Sequence, residues 1–144
     1  MEITDTVKLL RECDSGTKMA VTSIDEVLGK VENQEMKKLL EESKSHHGEL
    51  GNRIHGLLLQ HGSDEKDPTA MAKGMSWIKT NIKMGMEKSD ATVADLITDG
   101  CNMGVKSLHR YLNQYQAADS TSKGICKELI SIEEKLAKDL RYYL

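Results

Sequence analysis

Asp14 and His47 are the two residues of this chain whose types and spacing could do chemistry together. Each interrupts an otherwise apolar helical stripe near its middle. Ile3, Val7, Leu10, Asp14, Thr17, Val21, Ile24, Leu28 and Val31 follow steps of three and four, the spacing of one seam on a long helix. Met36, Leu40, Ser43, His47, Leu50, Ile54, Leu57 and His61 repeat the pattern. If the chain folds back near residue 32, Thr17 lies opposite His47 and Asp14 within about one helical turn of it. A buried carboxylate beside an imidazole can hold a metal ion or a small polar ligand. The alternative is a hydrogen-bonded core layer of Asp14, Thr17, Ser43 and His47 that fixes register, and the sequence favours this one. A buried Asp without any partner would be too costly to keep.

Cys13 and Cys101 also fall mid-helix, and thiol with imidazole would suit zinc or copper better than iron. A buried cysteine more often behaves as a small apolar residue. Cys126 lies near the start of the last helix, away from the level of Cys101, which argues against a three-cysteine cluster. With three cysteines and no CxxC pair, a disulfide framework is not expected. Met71, Met75, Met84 and Met86 read as core filler rather than copper ligands in a chain without Phe. His55, His61 and His109 lack spaced partners and read as surface or helix-end residues. Glu41, Glu42, Glu133 and Glu134 read as solvated faces. No nucleophile elbow, phosphate loop or dinucleotide fingerprint occurs, so nucleophilic catalysis has no support.

The elements that must position these residues are helices. The 144 residues suit a single domain, 1–144, and with aromatics at 3% and one Pro the core must come from Leu, Ile, Val and Met. Helices are expected over about 4–30, with Thr4 or Asp5 as cap, and over about 34–61, with Asn33 as cap and Gly62 as stop. After the loop at 62–68, Pro68 opens a shorter crossover helix over about 68–86, with Met71, Met75, Ile78 and Ile82 on one side. Ser89 or Asp90 opens a helix over about 91–117 with Val93, Ile97, Gly104, Leu108, Tyr111 and Tyr115 inward. The last helix, from about 122, carries Ile125, Leu129, Ile132, Leu136, Leu140 and Tyr143 with no His or carboxylate in the stripe. Gly16, Gly48, Gly51, Gly100 and Gly104 all fall inside helices, where each costs roughly 1 kcal/mol against Ala. Close helix approach is the favoured reason, room for a ligand or water the other.

Two antiparallel hairpins joined by a long connection are the plan of an all-α four-helix bundle. Cys13-x-x-Gly16, Pro68-x-Ala70-Met71-Ala72 with Ser76-Trp77, and Gly100-x-x-x-Gly104 leading to Tyr111 resemble a bacterial family of ferritin-like four-helix bundles, a domain of unknown function; the similarity covers nearly the whole chain. The ferritin-like fold implies a di-iron or di-manganese site built from paired carboxylates and two Glu-x-x-His motifs. Here Ser43 and Lys44 precede His46 and His47 by three, the last helix has no His, and Cys101 stands where a carboxylate would be.

The expectation is therefore a non-enzymatic ferritin-like bundle without a di-metal centre, a binding or structural module with no cofactor that self-associates as a homo-oligomer. The alternative is a metal-binding protein in metal handling or oxidative stress, holding Fe, Mn or Zn at a reduced site around Asp14 and His47 with Cys13 or Cys101. A net charge of −3 without basic runs excludes a nucleic-acid role. The chain has no signal-peptide pattern and no apolar run of the ~20 residues that cross a bilayer, so no membrane partner and a cytoplasmic location are expected.

Overall fold

Four N-cap side chains start the four α-helices among the described residues. The structure is a computed structural model and describes residues 3–63 and 89–144. Helices α1 (Asp5–Leu28), α2 (Gln34–Gln60), α3 (Asp90–Gln114) and α4 (Ser120–Leu140) are followed by a short 3-10 turn, Arg141–Tyr143. Thr4, Asn33, Ser89 and Asp119 each stand in extended backbone and accept a hydrogen bond from the amide three residues on. Each satisfies one of the amides that a helix start leaves open. Gly62 ends α2 with φ of +67°. The Ser63 amide then reaches Leu58 O at 2.9 Å and the Gly62 amide Leu59 O at 3.0 Å, the paired bonds of a Schellman stop.

The helix limits agree with expectation at Thr4, Asn33, Gly62 and Ser89. α3 is shorter than expected, ending at Gln114, and α4 starts two residues earlier because Asp119 caps it. The expected crossover helix over 68–86, with its methionines, lies outside the described residues.

Packing separates into two apolar blocks. Val7, Leu9, Leu10 and Cys13 of α1 join Leu50, Ile54 and Leu58 of α2, Leu108 of α3 and Ile125 to Ile130 of α4. Ile24 and Val27 join Met36, Leu40, Val93, Ile97, Cys101, Leu136 and Leu140 in the second block. This grouping sets the directions: α1 and α4 run one way, α2 and α3 the other. α1 packs on all three other helices, so a single seam is too narrow. Leu9, Cys13, Ala20 and Val27 are fully buried beside the expected line, whereas Ile3 is 44% exposed and Val21 and Leu28 are only half-buried.

Each end of the bundle is tied by side chains. At one end Arg11 donates to Ser63 Oγ at 3.1 Å, Asp5 accepts from the Ala117 amide at 3.0 Å, and Thr6 Oγ1 accepts from the Asp119 amide at 2.9 Å. At the other, the two carboxylate oxygens of Asp90 accept from the Glu32 and Asn33 amides, both at 2.9 Å. The described chain thus leaves the bundle at one end after Ser63 and re-enters at the opposite end at Ser89. Asp90→Ala, which unties the α1–α2 turn from α3, is expected to cost about 1 kcal/mol in urea denaturation, a modest figure because the clamp is solvent-exposed.

Candidate functional site

Between the two apolar blocks lie buried polar side chains from three of the four helices. Thr17 comes from α1, Ser43 and His47 from α2, and Glu133 from α4; all are buried, and Gly104 of α3 faces Glu133. Thr17 meets its need within its own helix, its hydroxyl donating to Asp14 O at 2.8 Å. The Asp14 carboxylate accepts from Lys18 Nζ at 2.8 Å, also along α1.

The tautomer of His47 follows from its hydrogen bond. Nδ1 lies 2.8 Å from the carbonyl oxygen of Ser43, which can only accept, so Nδ1 carries the proton. Burial, the largest influence, pushes the imidazole below its usual range, the Ser43 carbonyl pulls the other way, and His46 adds to the lowering. His47 is therefore a neutral ring whose Nε2 lone pair is buried without a hydrogen-bond partner among the described residues. Ser43 Oγ is 3.4 Å from Nδ1, but that nitrogen already donates and cannot take the hydroxyl proton. The pair is not a nucleophile with its base.

Glu133 corrects the reading of the last helix as a stripe without a carboxylate, and of Glu133 as part of a solvated face. It is 1% exposed, while the expected seam residue Ile132 is only half-buried. Burial, with the nearby Cys126 adding to it, pushes its carboxyl up to about 8, so it holds its proton at neutral pH. Its Oε2 has no hydrogen-bond partner among the described residues. A side chain at Gly104 would collide with Glu133 Oε1 and come within 3.1 Å of Cδ, so this glycine makes room for a carboxyl group.

The cysteines divide differently from expectation. Cys13 of α1 and Cys126 of α4 are buried in the same apolar block, and the Cys126 thiol donates to Leu108 O at 3.7 Å. The neighbouring Cys126 and burial push the Cys13 thiol well up. Cys101 lies in the other apolar block, raised by burial and by Glu133. The four residues named as metal ligands, Asp14, His47, Cys13 and Cys101, thus do not converge. Among the described residues no three His, Cys, Asp or Glu side chains gather to hold a metal ion.

Asp14 and His47 do share a site, an open groove of about 340 Å³ between α1 and α2. Thr17, Lys18, Asn52 and His55 also line it. Gly51 and Gly48 play opposite parts there. A Cβ at Gly51 would stand 3.1 Å from Thr17 Oγ1, so this glycine allows close helix approach, whereas a Cβ at Gly48 would meet nothing within 4 Å. Close approach as the general reason for the helix glycines fails at Gly48 and is weak at Gly16, whose Cβ would make an ordinary 3.5 Å contact with Leu129.

Glu133 and the burial of Cys13 and Cys126 in one apolar block are the features that sequence reasoning missed. The signal for Glu133 was Gly104, a mid-helix glycine at the level of Thr17 and His47. No family model, curated protein or solved structure matches this chain.

Proposed function

We propose that the chain is a non-enzymatic, ferritin-like helical bundle that works as a binding module, with the α1–α2 groove as the seat for a small organic cation bearing an ammonium or guanidinium group. The ferritin-like assignment is supported by two hairpins whose connection links opposite ends of the bundle. The observation that carries the ligand class is the Asp14 carboxylate in the groove wall. Its side chain is only 10% exposed, yet its partner Lys18 is 43% exposed. An exposed lysine releases such a pair at a cost of at most about 1 kcal/mol, and a ligand N–H group then takes its place at the carboxylate. The hydroxyls of Thr17 and Thr22 and the Asn52 amide offer further polar contacts around that point.

The test is a titration of 15N-labelled protein with putrescine, with 1,4-butanediol as the uncharged control. Amide shifts at Asp14, Gly48 and Gly51 are expected with the diamine and not with the diol. Gly48→Leu should fill the groove and abolish the shifts while stability holds or rises by up to about 1 kcal/mol, since Gly is the poorer helix former. Shifts spread evenly over surface carboxylates, or unchanged in Gly48→Leu, would overturn the reading. Stoichiometric Fe, Mn or Zn in protein purified without a tag, lost on Asp14→Ala with His47→Ala, would replace it with the metal-binding alternative.

A further inference from the structure

We propose that a single water molecule is held inside the bundle between His47 of α2 and Glu133 of α4. Both side chains are buried, and each keeps one polar atom, Nε2 and Oε2, without a hydrogen-bond partner among the described residues. They stand at the same place in the packing. On α2, Leu50 belongs to one apolar block and Leu40 to the other, with His47 between them; on α4, Ile130 and Leu136 divide in the same way around Glu133. Register across the two antiparallel helices agrees. Arg53 and Glu128 pair at 3.0 Å, and His47 and Glu133 lie six and five residues from them toward the same end, a mismatch in height of about 1.5 Å. Ser43, one turn from His47, also lines a narrow cleft with Ile132 and Leu136, which stand on either side of Glu133 in the sequence of α4.

The needs of the two groups are complementary. The Ser43 carbonyl fixes the His47 proton on Nδ1, so Nε2 offers a lone pair and has nothing to donate. Glu133 is 1% exposed, with its carboxyl packed into the space that Gly104 leaves. A carboxyl so enclosed keeps its proton and needs an acceptor for it. Water both donates and accepts. It accepts from the Glu133 carboxyl and donates to His47 Nε2, so one molecule completes both groups and ties α2 to α4 between the apolar blocks. Thr98 Oγ1 of α3, the remaining buried atom without a partner among the described residues, lies six residues before Gly104, about 9 Å along the helix, and outside this gap. His47 also lines the open α1–α2 groove, which gives the water a path for exchange with solvent. The water site stands whether or not that groove holds a cation.

The experiment is water-to-protein cross-relaxation by NMR on the folded, full-length chain near neutral pH, read at the His47 ring. Cross-peaks from water to Hδ2 and Hε1, the two protons beside Nε2, are expected with the sign of a water that tumbles with the protein. Glu133→Gln should keep them, because its amide N–H donates to the water in place of the carboxyl and carries no hydroxyl proton that could relay the signal. Cross-peaks missing from the wild-type chain, or present there and lost in Glu133→Gln, would overturn the proposal. A double-mutant cycle in urea gives a second reading: with Glu133→Met and His47→Leu combined, both polar partners are gone, and the double variant should be more stable than the two single shifts add up to. Additive shifts would show that the two residues share no water. The wild-type spectrum decides the matter even if a variant fails to fold.

Discussion

Glu133→Gln is expected to be more stable than the wild-type chain at pH 8.5 and to converge with it below about pH 4. In the unfolded chain the carboxyl ionises near its ordinary value of 4.5, whereas in the fold it stays protonated up to about 8. A group whose folded value is raised contributes stability that is fully present below the unfolded value and is lost as pH climbs through the folded one. Wild-type stability therefore falls between these two pH values, by about 4 kcal/mol if the whole shift is expressed. Glutamine keeps the shape facing Gly104 and has no proton to lose, so its profile lacks that fall. Urea denaturation of both proteins from pH 4 to 8.5 reads the difference directly. Parallel profiles would show that the carboxyl does not stay buried in the fold.

Leu129→Ala should cost about 2–5 kcal/mol, toward the upper part of the range for buried leucines. Leu129 is fully buried, and its Cδ2 faces Gly16. Cost at a given site depends on how far the neighbours collapse into the space left behind, and a glycine has no side chain to move in. Gly16→Ala alone places a methyl group at ordinary contact distance and removes the helix penalty of glycine, so it should stabilise by up to about 1 kcal/mol. Combined with Leu129→Ala, the new methyl also fills part of the cavity, and the double variant should be more stable than the sum of the single effects. Strict additivity in the double-mutant cycle would mean that α1 and α4 do not touch there.

The caps were legible because Thr4, Asn33 and Ser89 are residue types that accept from an open amide, and a local rule suffices to place them. The Asp14, Thr17, Ser43 and His47 layer was legible because each breaks an apolar period. Glu133 was not. Leu129 is followed at three and four residues by Ile132 and Glu133, both on the inward side of a helix, and hydrophobicity alone selects the isoleucine. The deciding fact is on another helix, where Gly104 leaves space that only a longer side chain reaching across can fill. The meeting of Cys13 and Cys126 in one apolar block was hidden for a similar reason, since it depends on α1 and α4 running parallel across the bundle, and helical periodicity carries no information about which helices lie side by side. A reading of the polar layer as confined to the α1–α2 hairpin therefore gives way to one in which α4 supplies its carboxyl group.

The parallel run of α1 and α4 also brings two helix starts together. Their peptide dipoles point the same way, so two partial positive poles gather at the end where Asp5, Thr6 and Asp119 meet. Asp5 stands in the first turn of α1 and accepts from the Ala117 amide just ahead of α4, while Asp119 caps α4 itself. These two carboxylates are thus counter-charges for a pole shared by two helices. Backbone bonds draw on Asp119, whose carboxyl is held below its ordinary range chiefly by the Ser122 amide. Acid that protonates Asp119 would leave part of that shared pole uncompensated, and fraying should begin at that end of the molecule.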